Sequence, residues 1–159
     1  MLKYIKIWRK VAKSVKYFMF IGQYEHTIDV KGRITIPNKF RNLLGDSFLL
    51  TRSLDGCLSI YDKNSWEQLE KKLNELPYTD EKARLLKRFT LGSSDMCEPD
   101  KQGRVLIPQA LRKNANLLQD VVFVGVGDHI EIWDKKMWDT NNDFNDYEKL
   151  SKDMEGLGI

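Results

Sequence analysis

The chain has 159 residues, 42% hydrophobic and 31% charged, with 26 Lys and Arg against 23 Asp and Glu. This is enough for one ordinary core if its parts pack together, and no apolar run approaches the roughly 20 residues of a membrane-spanning helix. The positive excess sits in the first 18 residues, which hold five Lys, one Arg and no acid; the remainder is slightly acidic, so any case for nucleic acid rests on where particular cations are placed.

Residues 1–18, "MLKYIKIWRKVAKSVKYF", space Lys3, Lys6, Arg9 or Lys10, Lys13 and Lys16 as on a helix, with Ile5, Trp8, Ala12 and Val15 between them. The pattern is a basic amphipathic extension. It lacks the uninterrupted apolar stretch and small-residue cleavage site of a secretory signal. We read Met19 as the true start, because recognisable fold sequence begins at "MFIGQYEHTID".

Extended sequence from Tyr24 to Ile28 leads into a tight turn at "DVKG". Asp29 can accept from backbone N–H groups two residues on, and Gly32 supplies a positive φ. Alternation then puts Arg33 and Thr35 on the face opposite Ile34 and Ile36. Pro37 ends the strand and its fixed φ suits a first helical turn, so "NKFRNLL" is predicted helical, with Phe40, Leu43 and Leu44 as its apolar stripe and Gly45 as its stop. "SFLLT" reads as a buried strand, "SLDG" as a turn, and "CLSIY" as a hairpin partner with Leu58 and Ile60 inward. Asp62 is placed to cap a helix carrying Trp66, Leu69 and Leu73.

After Pro77, "TDEKARLLKRFTLG" reads as an amphipathic helix with Leu85, Leu86 and Phe89, expected to pack across both halves of the molecule. The earlier order then returns: a turn at "DKQGR", strand "RVLI", Pro108, helix "QALRKNA", strands "VVFVGV" and "HIEIW", and Asp134 before a short helix. Beyond Trp138 the sequence is polar and acidic, with a weak helix from Tyr147 to Met154 and a tail expected to be mobile.

The return is a duplication. Asp29, Gly32, Arg33, Ile36, Pro37 and Arg41 recur as Asp100, Gly103, Arg104, Ile107, Pro108 and Arg112 in one register. Ile60, Asp62 and Trp66 recur as Ile132, Asp134 and Trp138 with one residue inserted between. A signature repeated at this scale implies two copies of one small unit. The expected organisation is the extension at 1–18, a first unit at 22–74, a linker helix at 75–92, a second unit at 93–138 and a tail at 139–159.

Cys57 and Cys97 are too far apart in sequence for a CxxC site or a disulfide framework, and His26 and His129 lack ligand neighbours, so neither metal nor cofactor is expected. Asp29 and Asp100 could be read as an acid/base pair. Each, however, comes with its own Gly and Arg in a turn that explains it, and no nucleophile elbow or phosphate-binding loop accompanies them. The chain does not read as an enzyme. Arg33 and Arg104 stand at loop edges beside Lys31 and Lys101, with Gln102 as a candidate base-edge donor. Guanidinium groups so placed suit phosphate oxygens or guanine edges, while Asp29, Gly32, Asp100 and Gly103 shape the loops.

Paired "DxKGRxxIPxxFR" and "DxxGRVLIPxxLR" motifs, in a sequence opening "MFIGQYEHTID", resemble the MraZ family of bacterial transcriptional regulators from Met19 to about Trp138. The resemblance implies an α+β fold of duplicated swapped-hairpin AbrB-like β-barrel units, of AbrB/SpoVT type, with short flanking helices. It implies a homo-oligomeric ring that binds double-stranded DNA at short direct repeats upstream of the division and cell wall gene cluster, in the cytoplasm at the nucleoid. Arg33 and Arg104 would read the DNA. The alternative is a scaffold ring that binds protein partners and shows no sequence preference on DNA.

Overall fold

The computed structural model describes residues 20–158; the basic extension and Met19 lie outside the described residues. The alternating stretches form β1 (Phe20–Thr27), β2 (Arg33–Thr35), β3 (Phe48–Arg52), β4 (Leu58–Tyr61), β5 (Asp95–Cys97), β6 (Arg104–Leu106), β7 (Asp120–Gly127) and β8 (Ile130–Asp134). Between and after them lie helices α1 (Asn38–Leu44), α2 (Lys63–Asn74), α3 (Glu81–Thr90), α4 (Gln109–Asn114), α5 (Lys135–Asn141) and α6 (Tyr147–Asp153).

Six strands make one antiparallel sheet in the order β1-β7-β8-β4-β3-β5, and β2 pairs with β6 in a separate two-stranded ribbon. The order reads the same from either end once the two copies are exchanged. Hairpins β3–β4 and β7–β8 meet at the β4–β8 seam, where Leu58 faces Ile132 and Ile60 faces Ile130. Each outer strand belongs to the other copy: β1 lies on β7 and β5 on β3. Sequence alternation located Tyr24–Ile28 and the turn after it, yet β1 and β2 do not pair with each other.

Both faces of β7 are covered, which is why "VVFV" runs without alternation. Val121 and Phe123 enter the main core with Ile34, Ile36, Phe40, Leu50, Leu58 and Ile107. Val122 packs the other way against Cys57, Trp133 and Trp138. Fully burying a side chain such as Phe123 contributes about 2–3 kcal/mol, so this strand anchors two layers. His26 meets Phe123 edge-on with ring centroids 5.5 Å apart, and His129 stacks on Tyr61 at 4.9 Å. Both histidines have structural partners.

Helix ends follow the sequence. Asp62 accepts from the Ser65 backbone N–H at 2.8 Å, Asp134 accepts from those of Lys136 and Met137, and Gly45 terminates α1 with φ of 78°. Pro37 and Pro108 sit one residue ahead of their helices. Two stripe residues differ from expectation, for Leu43 and Leu85 are exposed. Helix α3 turns Ala83 and Thr90 inward instead. Its main packing is on β3, where Thr51 Oγ1 donates to the Thr90 carbonyl at 2.6 Å and the Arg52 guanidinium lies 4.7 Å from the Phe89 ring centre. The short β5 was not foreseen, because three residues carry no legible alternation.

Candidate nucleic-acid interface

Each motif turn is closed by its aspartate. Asp29 Oδ1 accepts from the backbone N–H groups of Lys31 and Arg33, both at 2.9 Å, and Oδ2 accepts from Arg33 Nε at 2.8 Å. Asp100 repeats this with Gln102 N and Arg104 N at 2.9 Å and Arg104 Nε at 2.8 Å. The left-handed glycine completes the turn, with φ of 82° at Gly32 and 75° at Gly103. The backbone N–H of Arg33, ahead of its side chain, holds the Asp29 carboxyl below its ordinary value against the opposing effect of desolvation, and Arg104 does the same for Asp100. Both aspartates are therefore charged at neutral pH.

This pairing aims each arginine. The carboxylate takes Nε, and among the described residues neither Arg33 nor Arg104 makes a hydrogen bond through its two outer nitrogens. A planar fork is left facing outward.

The ribbon brings the two forks together. Arg33 faces Leu106, Ile34 faces Val105 and Thr35 faces Arg104. Facing residues in an antiparallel pair share a side; Ile34 and Val105 are buried in the core. Arg33, Thr35, Arg104 and Leu106 therefore occupy the outer side. Lys31, Lys101 and Gln102 are exposed on the flanking turns. All five binding candidates from the sequence thus lie on the ribbon or its turns.

What sequence reading missed is the lock between the copies. Ile36 N donates to the Gly103 carbonyl and Ile107 N to the Gly32 carbonyl, both at 3.0 Å. Above these glycines lie Arg112 and Arg41: a Cβ at Gly32 would stand 2.6 Å from Arg112 Cζ, and one at Gly103 would meet Arg41 Nη1. Arg112 is also held by Nε donating to the Ile107 carbonyl at 3.1 Å. The second motif arginine was visible as a repeated identity, but the glycine it covers is in the other copy.

Asp29 and Asp100 are each engaged by their own arginine, which removes the case for a shared acid/base pair. Cys57 and Cys97 are buried free thiols; burial raises both, Cys97 to about 12. Cys57 Sγ and Trp133 Nε1 both donate to Glu131 Oε2, a structural network. Among the described residues no helix is long and apolar enough to cross a membrane, and no group of three or more His, Cys, Asp or Glu could hold a metal ion.

Comparison with known proteins agrees with the duplication. The family model described as "MraZ protein" matches twice, over residues 19–89 and 91–155. The protein "Transcriptional regulator MraZ" of Clostridium tetani is 50% identical over 142 residues, covering 89% of this chain and all of that protein. The proteins of the same name from Thermoanaerobacter pseudethanolicus and Halothermothrix orenii are each 48% identical over 143 residues, with the same coverage.

Proposed function

The chain belongs to the MraZ family, one of regulators and not of enzymes, and from that premise we propose that it binds DNA through the outer side of the β2–β6 ribbon and regulates transcription. The observation that carries this reading is the pair of outward guanidinium forks, one from each motif turn, on a single two-stranded ribbon. A two-stranded ribbon fits the major groove, and an arginine fork can take guanine O6 and N7 together. Lys31, Lys101 and Gln102 on the flanking turns supply phosphate contacts and a further base-edge donor. Asp29, Gly32, Asp100 and Gly103 fix the approach and do not touch DNA.

Within this reading the chain divides into the two units expected from sequence, and the exchange of β1 and β5 between copies supports describing them as swapped hairpins. A single ribbon neutralises few phosphates, so one chain alone binds weakly at physiological salt. Assembly into a homo-oligomeric ring would set several ribbons on successive short direct repeats and raise avidity without any new contact. The targets in this proposal are the repeats upstream of the division and cell wall gene cluster.

Arg33→Ala combined with Arg104→Ala should abolish the shift of a duplex carrying those repeats while leaving the assembly's mass by light scattering unchanged. Unaltered binding would sink the proposal. Equal binding of wild type to intact and scrambled repeats would favour the protein-scaffold reading.

A further inference from the structure

The two ends of the ribbon are built alike but are not alike chemically. Strand register puts Leu106 across from Arg33 and Thr35 across from Arg104. Leu106 and Thr35 are equivalent positions of the two copies, and both are exposed. The turns differ in the same sense: Val30, fully exposed, is in the turn that delivers Arg33, whereas Lys101 stands at the equivalent place in the turn that delivers Arg104. Lys31, by contrast, is answered by the neutral Gln102. One end therefore shows a guanidinium and an ammonium beside two bare aliphatic side chains. The other shows a guanidinium among an ammonium, an amide and the hydroxyl and single methyl of Thr35.

Exposed aliphatic groups on a ribbon face have no folding role that a polar residue would not fill. Leu106 takes no part in the main core, which Ile34 and Val105 enter from the opposite side of the ribbon. The one base-edge feature in the major groove that an aliphatic side chain recognises is the C5-methyl group of thymine. We infer that Leu106, supported by Val30, makes the Arg33 end of the ribbon read a thymine beside its guanine, while at the Arg104 end Thr35, with one methyl on a shorter side chain beside a hydroxyl, imposes the weaker requirement. The chain then reads DNA with a direction despite its internal two-fold, and Leu106 and Thr35 set that direction. This rests on the DNA-binding reading above.

The test begins with duplexes selected by the full chain from a random-sequence pool. Arg33→Ala and Arg104→Ala should each relax a different guanine, which assigns the two ends. Each thymine of the selected duplex is then replaced by deoxyuridine, removing only the methyl group. Losing one buried methyl corresponds to about a fourfold weaker Kd, and this is expected at a thymine next to the Arg33 guanine, with a smaller loss at the matching place beside the Arg104 guanine. Leu106→Ala should keep both guanine preferences and shrink the deoxyuridine effect, while Thr35→Leu should raise the response at the Arg104 end to that of the Arg33 end. Both side chains are exposed, so the variants leave the core intact. Equal response at the two ends of wild type, or an undiminished deoxyuridine effect in Leu106→Ala, would overturn the inference with DNA binding still standing. Selection of no sequence by wild type would remove the DNA-binding reading and this inference together.

Discussion

The two motif turns agree bond for bond, while the two hairpin turns that follow them in each copy have drifted apart. In the first hairpin Ser53 N donates to the Cys57 carbonyl across a wide loop, with Gly56 left-handed at φ of 82°. In the second, Val126 N donates to the His129 carbonyl and Gly127 takes the positive φ. Nothing lies within 4 Å of where a Cβ would stand on Gly56 or Gly127, whereas Gly32 and Gly103 each lie under an arginine of the opposite copy. A turn that only reverses its own chain tolerates change. A turn that also seats the other copy's side chain and bonds the other copy's backbone does not.

The largest effect that would break this comparison comes from the glycines. Gly32→Ala and Gly103→Ala are each expected to lower stability by roughly 2–3 kcal/mol, combining left-handed strain of about 1–2 kcal/mol with displacement of the arginine above. Gly56→Ala and Gly127→Ala should show the strain alone, about 1–2 kcal/mol. Urea melts of the four variants decide it, and equal losses would mean that the contact between copies imposes nothing. Next in size, Arg112→Ala should cost about 1 kcal/mol through the lost hydrogen bond to Ile107 and the exposed glycine. Combined with Gly32→Ala it should cost less than the separate losses added together, since both remove one contact. Strict additivity would refute the lock.

Acid titration should produce a smaller effect. The Asp29 and Asp100 carboxyls titrate below the ordinary value of 3.8 because each is bonded by the arginine's backbone N–H and side chain. A depressed folded value means that their contribution to stability is present above the unfolded value and lost as pH falls through the folded one. Carbon-detected NMR should therefore show both turns closed down to about pH 4, near the ordinary carboxylate value, and both opening together below it. An opening above pH 5 would contradict the bonding described. The smallest effect belongs to His26, which partial burial holds below 6.5. Its contribution is present above 6.5 and declines as pH falls through the lowered value, and His26→Phe should flatten that slope in thermal melts.

Much of this was legible in the sequence because it is local. Asp62 and Asp134 as caps, Pro37 and Pro108 as strand stops, and the inward Ile34 and Ile36 each depend on residues within one turn or one strand. The turn bonds of Asp29 and Asp100 are equally local. What escaped depends on strand partners. Alternation says which side of a strand is buried, and it is silent on whether β1 lies against β2 or β7. Arg41 and Arg112 escaped for the same reason, as did the outward position of Leu85, whose helix rotates to bury Ala83 and Thr90 and bonds β3 through Thr90. The candidate site was half legible: its arginines stood out by repetition, but their common side and the Leu106–Thr35 difference appear only once Arg33 is known to face Leu106.

The exchange of outer strands also governs when the chain can fold during synthesis. The first copy emerges from the ribosome complete in sequence, yet β1 has no neighbour until β7 arrives, β3 stays bare on one side until β5 appears, and β2 waits for β6. Phe20 finds its partner only when Gly127 has been made. Such distant pairings place folding at the slow end for a domain of this size, and they hold an unpaired strand edge open on the nascent chain for most of its translation. A gene encoding one copy alone would have to solve the same problem with a second polypeptide, and joining the copies turns that encounter into a matter of waiting.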